Sequence, residues 1–125
     1  NAIQLPIVLL KDDFMFTGIP ADQFKTIVFS HVLEHFTDAA SVIRKIFKSV
    51  EIIGIERVII VVPGVAGYAS DKTHRTFIDI DYLKNNDLLN SSGYKLTRYS
   101  YFPFPASVFG RFFFYQELKL IYDKK

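Results

Sequence analysis

Two short segments of the sequence carry the side chains best suited to chemistry. The first is His31-Val32-Leu33-Glu34-His35, and the second is Asp71-Lys72-Thr73-His74-Arg75. An imidazole titrates near neutral pH, so a histidine in either segment could accept a proton from a reacting group. Lys72 or Arg75 could hold an anionic group of a substrate. The alternative for the second segment is a solvated loop with incidental charges, which we weigh more heavily for Lys72 than for His74.

The first segment also matches the H-x-x-E-H pattern of inverted zinc peptidases. In that pattern two histidines one helical turn apart bind the metal and the glutamate activates water. The pattern requires His31 and His35 to lie on one helix, whereas a strand runs directly into His31 and helix signals begin only at Thr37 and Asp38. We therefore expect no metal ion here, and two histidines hydrogen-bonded at a strand-to-helix junction are the plainer interpretation.

Both segments follow strands of a predicted βαβ unit. Residues 26–30 are β-branched and aromatic, which predicts a buried strand that ends at Ser30. Apolar residues spaced by three and four over 38–50 predict a helix, started by Thr37 or Asp38 and ended near Gly54. Residues 57–62 are continuously apolar, typical of a strand covered on both faces. Because parallel strands end at the same edge of a sheet, we expect the two segments to share one crevice.

The remaining segments predict a second helix and a pair of strands. Residues 63–76 form a polar, glycine-containing loop, after which Asp79 or Asp81 opens a helix closed by residues 91–93. Residues 94–101 and 111–122 are strand-like, and we expect them to pair.

Composition excludes several classes of protein. A chain of 125 residues with 50% hydrophobic and 22% charged residues forms one globular domain rather than a disordered chain or a coiled coil. Fifteen basic against 13 acidic residues, scattered along the chain, give no electrostatic reason for a nucleic-acid partner. No cysteine is present, which removes disulfides and thiolate sites. The longest aliphatic run, 58–62, is far short of the ~20 residues of a transmembrane helix. We expect a cytoplasmic protein without a transmembrane segment.

Residues 24–36 resemble the fourth strand and following loop of S-adenosylmethionine-dependent methyltransferases with the Rossmann-like fold. The continuation agrees through Val62-Pro63, residues 71–77 and the helix closing at Gly93-Tyr94. The Asp-x-Thr-His loop is similar to that of the branch associated with polysaccharide and glycan biosynthesis. The resemblance covers residues 24–122. It implies an α/β fold: a Rossmann-like methyltransferase sheet truncated at its N-terminus, with a parallel βαβ unit followed by an antiparallel C-terminal strand pair.

The resemblance also implies a cofactor, a substrate class and residue roles. The cofactor would be S-adenosyl-L-methionine, and the acceptor a small molecule or glycan precursor. His74 would be the catalytic base that removes a proton from the acceptor. The residues facing the acceptor would be Asp71, Lys72, Thr73 and Arg75. The cofactor-binding residues would be Ser30, His31, Val32 and His35, with Asp12 or Asp13 standing for the acid near the adenine.

Three departures from the family pattern limit these expectations. Lys25 replaces a usual aspartate, and Glu51-Ile52-Ile53-Gly54 replaces a Pro-Gly-Gly turn. The sequence also contains no glycine-rich cofactor loop. We therefore expect residues 1–125 to be a single partial domain that is inactive as a fragment. The main alternative is a non-catalytic methyltransferase-like interaction module.

Truncation of the sheet would leave the strand at 26–30 on an edge with unpaired backbone groups. We expect this edge to be covered by residues 3–10, which are strand-like although Pro6 confines them to an edge or a bulge, or by a second copy of the protein.

Overall fold

Five strands form one mixed sheet in the computed structural model, which describes residue 16 and residues 18–102 and 116–125. The strands are β1 (Thr26–Ser30), β2 (Arg57–Pro63), β3 (Asn90–Ser91), β4 (Tyr94–Phe102) and β5 (Glu117–Lys124). The helices are α1 (Ala39–Ile52), α2 (Val65–Ser70) and α3 (Ile80–Asn85), with a short 3-10 turn at Leu33–His35. The order across the sheet is β1-β2-β5-β4-β3; β1 and β2 are parallel, and the other neighbours are antiparallel. The α/β fold is confirmed, as are the βαβ unit and the pairing of two C-terminal strands.

Helix α1 has the predicted ends for local reasons. The Asp38 side chain accepts a hydrogen bond from the Ser41 amide at 3.2 Å, which identifies Asp38 as the N-cap. At the other end Gly54 has a φ of 80°, and its amide donates to the Glu51 carbonyl. A Cβ at this position would lie 2.1 Å from a carboxylate oxygen of Asp22. The left-handed backbone, more than the contact with the exposed Asp22 side chain, therefore favours glycine at this helix end.

The core lies between α1 and one face of the sheet. The Phe47 ring of α1 is fully buried and packs on the rings of Tyr94 and Tyr122, with centroids 5.3 and 4.6 Å away. The same face of β2 contributes Val58, Ile60 and Val62, which are also fully buried. This apolar contact fixes α1 across the sheet.

Two burial expectations were wrong for β1 and β2. Val28 in β1 is 55% exposed, and only Phe29 of this strand is buried. On β2 the second face, with Ile59 and Val61, is half-buried rather than covered. The reason is that within the described residues α1 covers one sheet face and no strand lies outside β1. Among the described strands β1 therefore lies at the edge of the sheet, as predicted, while residues 3–10, which were expected to cover it, lie outside the described residues.

Left-handed residues shorten the second predicted helix. Helix α3 begins after its N-cap Asp79 but ends at Asn85, before Asp87, whose φ is 55°. Residues 91–93 do not close the helix: Ser92, with a φ of 52°, lies in the turn between β3 and β4. The predicted loop 63–76 contains the short helix α2. Residues 111–115 of the predicted last strand lie outside the described residues.

Candidate functional site

The loops that follow β1 and α2 meet beyond the carboxyl ends of the parallel strands. The amides of Arg75 and Thr76 both donate to the Glu34 carbonyl, at 2.7 and 3.0 Å. The Thr76 hydroxyl donates to the Phe36 carbonyl at 2.6 Å. The structure therefore brings the two polar segments together, as the rule for parallel strands predicts.

Glu34 lies at the centre of this contact. Its side chain is fully buried, and within the described residues neither carboxylate oxygen has a hydrogen-bond partner. Oε1 lies 3.6 Å from His31 Nδ1, 3.7 Å from His35 Nε2 and 3.8 Å from His74 Nε2. We call these four residues the His/Glu cluster. A buried carboxylate costs several kcal/mol unless a positive charge offsets it.

His31 is held in a strained conformation at the end of β1. Its φ is 56°, in the left-handed region that residues with a Cβ rarely adopt. Its amide still donates to the Val61 carbonyl at 2.9 Å, so the strand ladder continues up to this residue. The imidazole Nε2 is hydrogen-bonded to the Glu117 carboxylate, at the start of β5. The left-handed turn thus aims the imidazole toward both Glu117 and Glu34.

His74 is oriented by α2. Its Nδ1 lies 2.8 Å from the Tyr68 carbonyl oxygen, which only accepts, so Nδ1 carries the hydrogen. The imidazole is 8% exposed and stacks on the Tyr68 ring, with centroids 5.3 Å apart. Nε2 is therefore the nitrogen that faces Glu34, and it lies 3.7 Å from Asp71 Oδ2.

A chain of hydrogen bonds from Asp71 orients His35. The Thr73 hydroxyl donates to Asp71 Oδ1 at 2.7 Å, and the Thr73 amide donates to the same oxygen at 2.8 Å. Hydrogen bonds from the hydroxyl and then the amide of Thr73, helped by the nearby His74 and His35, lower the pKa of Asp71. The Thr73 hydroxyl oxygen, 3.2 Å from His35 Nδ1, is left to accept from that nitrogen. Nε2 of His35 consequently faces Glu34.

The other residues to which the resemblance gives a binding role lie near the cluster in sequence or outside the described residues. Lys72 and Arg75 are exposed, and the Arg75 guanidinium donates to the Lys72 carbonyl at 2.9 Å. Ser30 is exposed and Val32 half-buried beyond the end of β1. Asp12 and Asp13 lie outside the described residues.

An open cleft of about 510 Å³ adjoins the cluster at the end of β2. Phe77, Asp79 and Tyr99 are among the residues that line it. The Phe77 ring contacts Tyr68 at 5.5 Å, and Tyr68 in turn stacks on His74. Ring contacts through Phe77 and Tyr68 therefore connect the cleft lining to His74.

Sequence reasoning missed the role of Glu34. From the sequence alone, Glu34 has a predicted role only within the zinc-peptidase pattern, which requires residues 31–35 on one helix. The structure instead has the left-handed His31 followed by the 3-10 turn Leu33–His35, so that helical requirement is not met. The usable signal was the glutamate itself, placed directly after the apolar Val32-Leu33 pair at a strand end.

No helix in the described part of the chain is both long enough and apolar enough to cross a membrane.

The architecture defines an α/β protein with a mixed sheet, and comparison with known proteins supports this class alone. No family model matches the sequence, and no curated protein matches it. A solved structure from work on the conversion of a disulfide bond into a thioacetal group during echinomycin biosynthesis has a similar fold. The two share 12% sequence identity with a TM-score of 0.56, over 92% of this chain and 54% of that chain. This chain thus spans about half the length of its structural neighbour.

Proposed function

We propose that the chain is the carboxyl-terminal part of a cytoplasmic S-adenosyl-L-methionine-dependent methyltransferase that acts on a small molecule or glycan precursor. The observation that carries the proposal is the combined arrangement of strands and loops. A parallel pair joined by α1 is followed by an antiparallel pair, and both polar loops meet at the carboxyl ends of β1 and β2. This is the arrangement that the resemblance to the Rossmann-like methyltransferases implies.

The residues at the end of β1 fit the methionine part of the cofactor. Ser30, His31 and His35 are exposed there and offer polar groups beside the half-buried Val32. When bound, S-adenosylmethionine supplies an electrophilic methyl group on its sulfonium. The sequence has no glycine-rich loop for the rest of the cofactor. We therefore propose that these residues form only half of a cofactor site, and that the chain is inactive without the other half.

His74 is the base of the proposed reaction. Its Nδ1–H is held by the Tyr68 carbonyl, so Nε2 is free to take a proton from the acceptor oxygen or nitrogen. The Glu34 carboxylate, 3.8 Å from Nε2, would stabilise the imidazolium that forms. The acceptor would approach Nε2 from the solvent side of the His/Glu cluster, where the His31 and His35 side chains are exposed. The Asp71-to-Arg75 loop would form the rim that orients it.

Calorimetry with S-adenosylhomocysteine tests the proposal. Binding is measured for this chain and for the chain extended by whatever its gene encodes before Asn1. Binding by the extended chain supports the proposal; binding by neither refutes it. His31→Ala should weaken binding about tenfold, roughly the value of one hydrogen bond to a charged group. Lys45→Ala, on the exposed side of α1, is the control and should change nothing.

The edge strand favours a second candidate function, an interaction module. Among the described strands none pairs with the outer side of β1, and Val28 on this strand is 55% exposed. Such an edge can add a strand from another chain, including a second copy of this protein. A mass that doubles with concentration in light scattering, together with no binding of S-adenosylhomocysteine by either chain, would favour the module. A concentration-independent monomer whose β1 amides exchange freely would refute it.

A further inference from the structure

We propose that Glu34, His35 and His74 bind a divalent first-row transition metal ion of the Zn²⁺ or Co²⁺ type. The proposal does not rest on methyl transfer and competes with it at one atom, because an ion bound to His74 Nε2 would occupy the lone pair that the proposed base uses. It also differs from the zinc-peptidase pattern, in which the glutamate is a base rather than a ligand. Here the ligands come from two loops that meet at the end of the parallel strands, and Glu34 is one of them.

The spacing of the three ligand atoms suits a tetrahedral ion. Glu34 Oε1 is 3.7 Å from His35 Nε2 and 3.8 Å from His74 Nε2, and the three atoms lie within 4.8 Å of one another. Bonds of ~2.0–2.2 Å at tetrahedral angles place ligand atoms about 3.3–3.6 Å apart. Contraction by about 0.1–0.5 Å on the two sides that meet at Glu34 Oε1, and by up to about 1.2–1.5 Å between the two imidazole nitrogens, would complete the coordination.

Hydrogen bonds at Nδ1 of His35 and of His74 leave the Nε2 atom of each ring available to bind a metal. His74 Nδ1 donates to the Tyr68 carbonyl, and His35 Nδ1 faces the Thr73 hydroxyl and carbonyl oxygens, at 3.2 and 3.3 Å. Because Nδ1 carries the hydrogen in each neutral ring, Nε2 presents a lone pair toward Glu34. This arrangement, with the second nitrogen fixed by a protein acceptor, is the usual environment of a histidine that binds a metal.

The burial of Glu34 gives an independent reason for a cation. Its carboxylate is fully buried and unpartnered by hydrogen bonds in the described part of the chain. The Nε2 atoms of His35 and His74 face this carboxylate with lone pairs, so they add hydrogen-bond acceptors and no donor. A divalent ion at the centre would satisfy all three groups at once, because each of them is a metal ligand in its present form.

Further donors flank the three ligands. His31 Nδ1 lies 3.6 Å from Glu34 Oε1, and its Nε2 is held by Glu117. Asp71 Oδ2 lies 3.7 Å from His74 Nε2. The side chains of His31 and His35 are 42% and 37% exposed, so an ion has access from solvent. One coordination position would remain open to water or to a substrate oxygen.

The test uses the chain without a histidine tag, freed of metal by a chelator. Co²⁺ is added and the visible absorption of tetrahedral cobalt is followed, and Zn²⁺ binding is measured by calorimetry. One ion per chain is expected for each metal, with Zn²⁺ displacing Co²⁺ and raising the melting temperature. The absence of saturable binding of both ions would overturn the proposal.

Variants locate the site. Glu34→Gln and His35→Gln should weaken Zn²⁺ binding by at least ~100-fold, the upper end of what outer-shell changes cost. Glu56→Gln is the matched control, because this carboxylate is exposed and lies just before β2, at the opposite end of the strand from the cluster. Circular dichroism checks that each variant folds. If the buried Glu34→Gln does not fold, the more exposed His35→Gln decides. Unchanged binding in a folded His35→Gln variant, or equal loss in the control, would place the ion elsewhere and refute the proposal.

Discussion

The left-handed backbone of His31 predicts an inversion in the usual ranking of alanine and glycine. At an ordinary helical position such as Lys45, a glycine variant is less stable than an alanine variant by roughly 1 kcal/mol. His31 has a φ of 56°, where a Cβ approaches the backbone carbonyl too closely. We therefore expect His31→Gly to be more stable than His31→Ala. Both variants lose the imidazole and its contact with Glu117, so these losses cancel in the comparison.

The size of the inversion follows from two opposing contributions. Relief of the left-handed strain favours glycine by roughly 1–2 kcal/mol. The greater freedom of glycine in the unfolded chain favours alanine by roughly 0.5–1 kcal/mol. The net preference for glycine at position 31 is then about 0–1.5 kcal/mol, centred at ~0.75 kcal/mol and opposite in sign to that at Lys45.

Urea denaturation of four variants measures this difference. The four variants are His31→Ala, His31→Gly, Lys45→Ala and Lys45→Gly. When two variants have the same slope of unfolding free energy against urea concentration, the difference between their midpoints reports the difference in their stability. The melting temperatures should differ by a few degrees in the same sense. An alanine variant at position 31 that equals or exceeds the glycine variant would show that the site is not strained. Backbone strain at His31 would then not explain the orientation of its imidazole toward Glu34.

Three further outcomes are expected for polar groups that hold the sheet together. Tyr94→Phe removes the hydroxyl that donates to the Ile55 carbonyl inside the core, and should cost about 1–3 kcal/mol in urea denaturation; an unchanged midpoint would contradict the bond. Burial, followed by the charge of Glu51, raises the pKa of Tyr94 to about 12, so stability should hold below pH ~10 and fall as the pH approaches 12. Ultraviolet absorption should show this delayed ionisation, and Tyr94→Phe should reduce it without abolishing it, because burial also raises the pKa of Tyr122. The hydrogen bond from Arg57 holds the pKa of Asp123 below its usual range, so its stabilisation is present above pH ~4 and is lost in more acid solution. Arg57→Gln should flatten that acid loss in thermal melts, and an identical acid profile would argue against the pairing.

Local signals explain what could be predicted from the sequence. The apolar spacing of α1, the capping Asp38 and the terminating Gly54 all act within one or two turns of helix. The meeting of the two polar loops followed from a general property of parallel strands, so His74 could be placed near the first segment without any contact being known. These features depend on periodicity and direction, which the sequence displays directly.

The missed features depend on tertiary contacts. The amides of Arg75 and Thr76 donate to the Glu34 carbonyl, and the Glu34 side chain is buried. The apolar residues before Glu34 indicate burial, but they do not identify the loop that contacts it. The early end of α3 reflects left-handed backbone at Asp87, a conformation open to many residue types. Burial on β1 was overestimated because apolar, β-branched residues suit an edge strand as well as a central one.

Because the histidines lie together, any measurement on histidine side chains reports on a single site of this protein. The sequence contains three histidines, and all three lie within 3.8 Å of one carboxylate oxygen. Every imidazole resonance in a nuclear magnetic resonance spectrum, and every event of histidine-directed chemical labelling, therefore originates from this one locality. In a protein with scattered histidines such a histidine signal averages over several sites, whereas here it reports directly on whatever binds near Glu34.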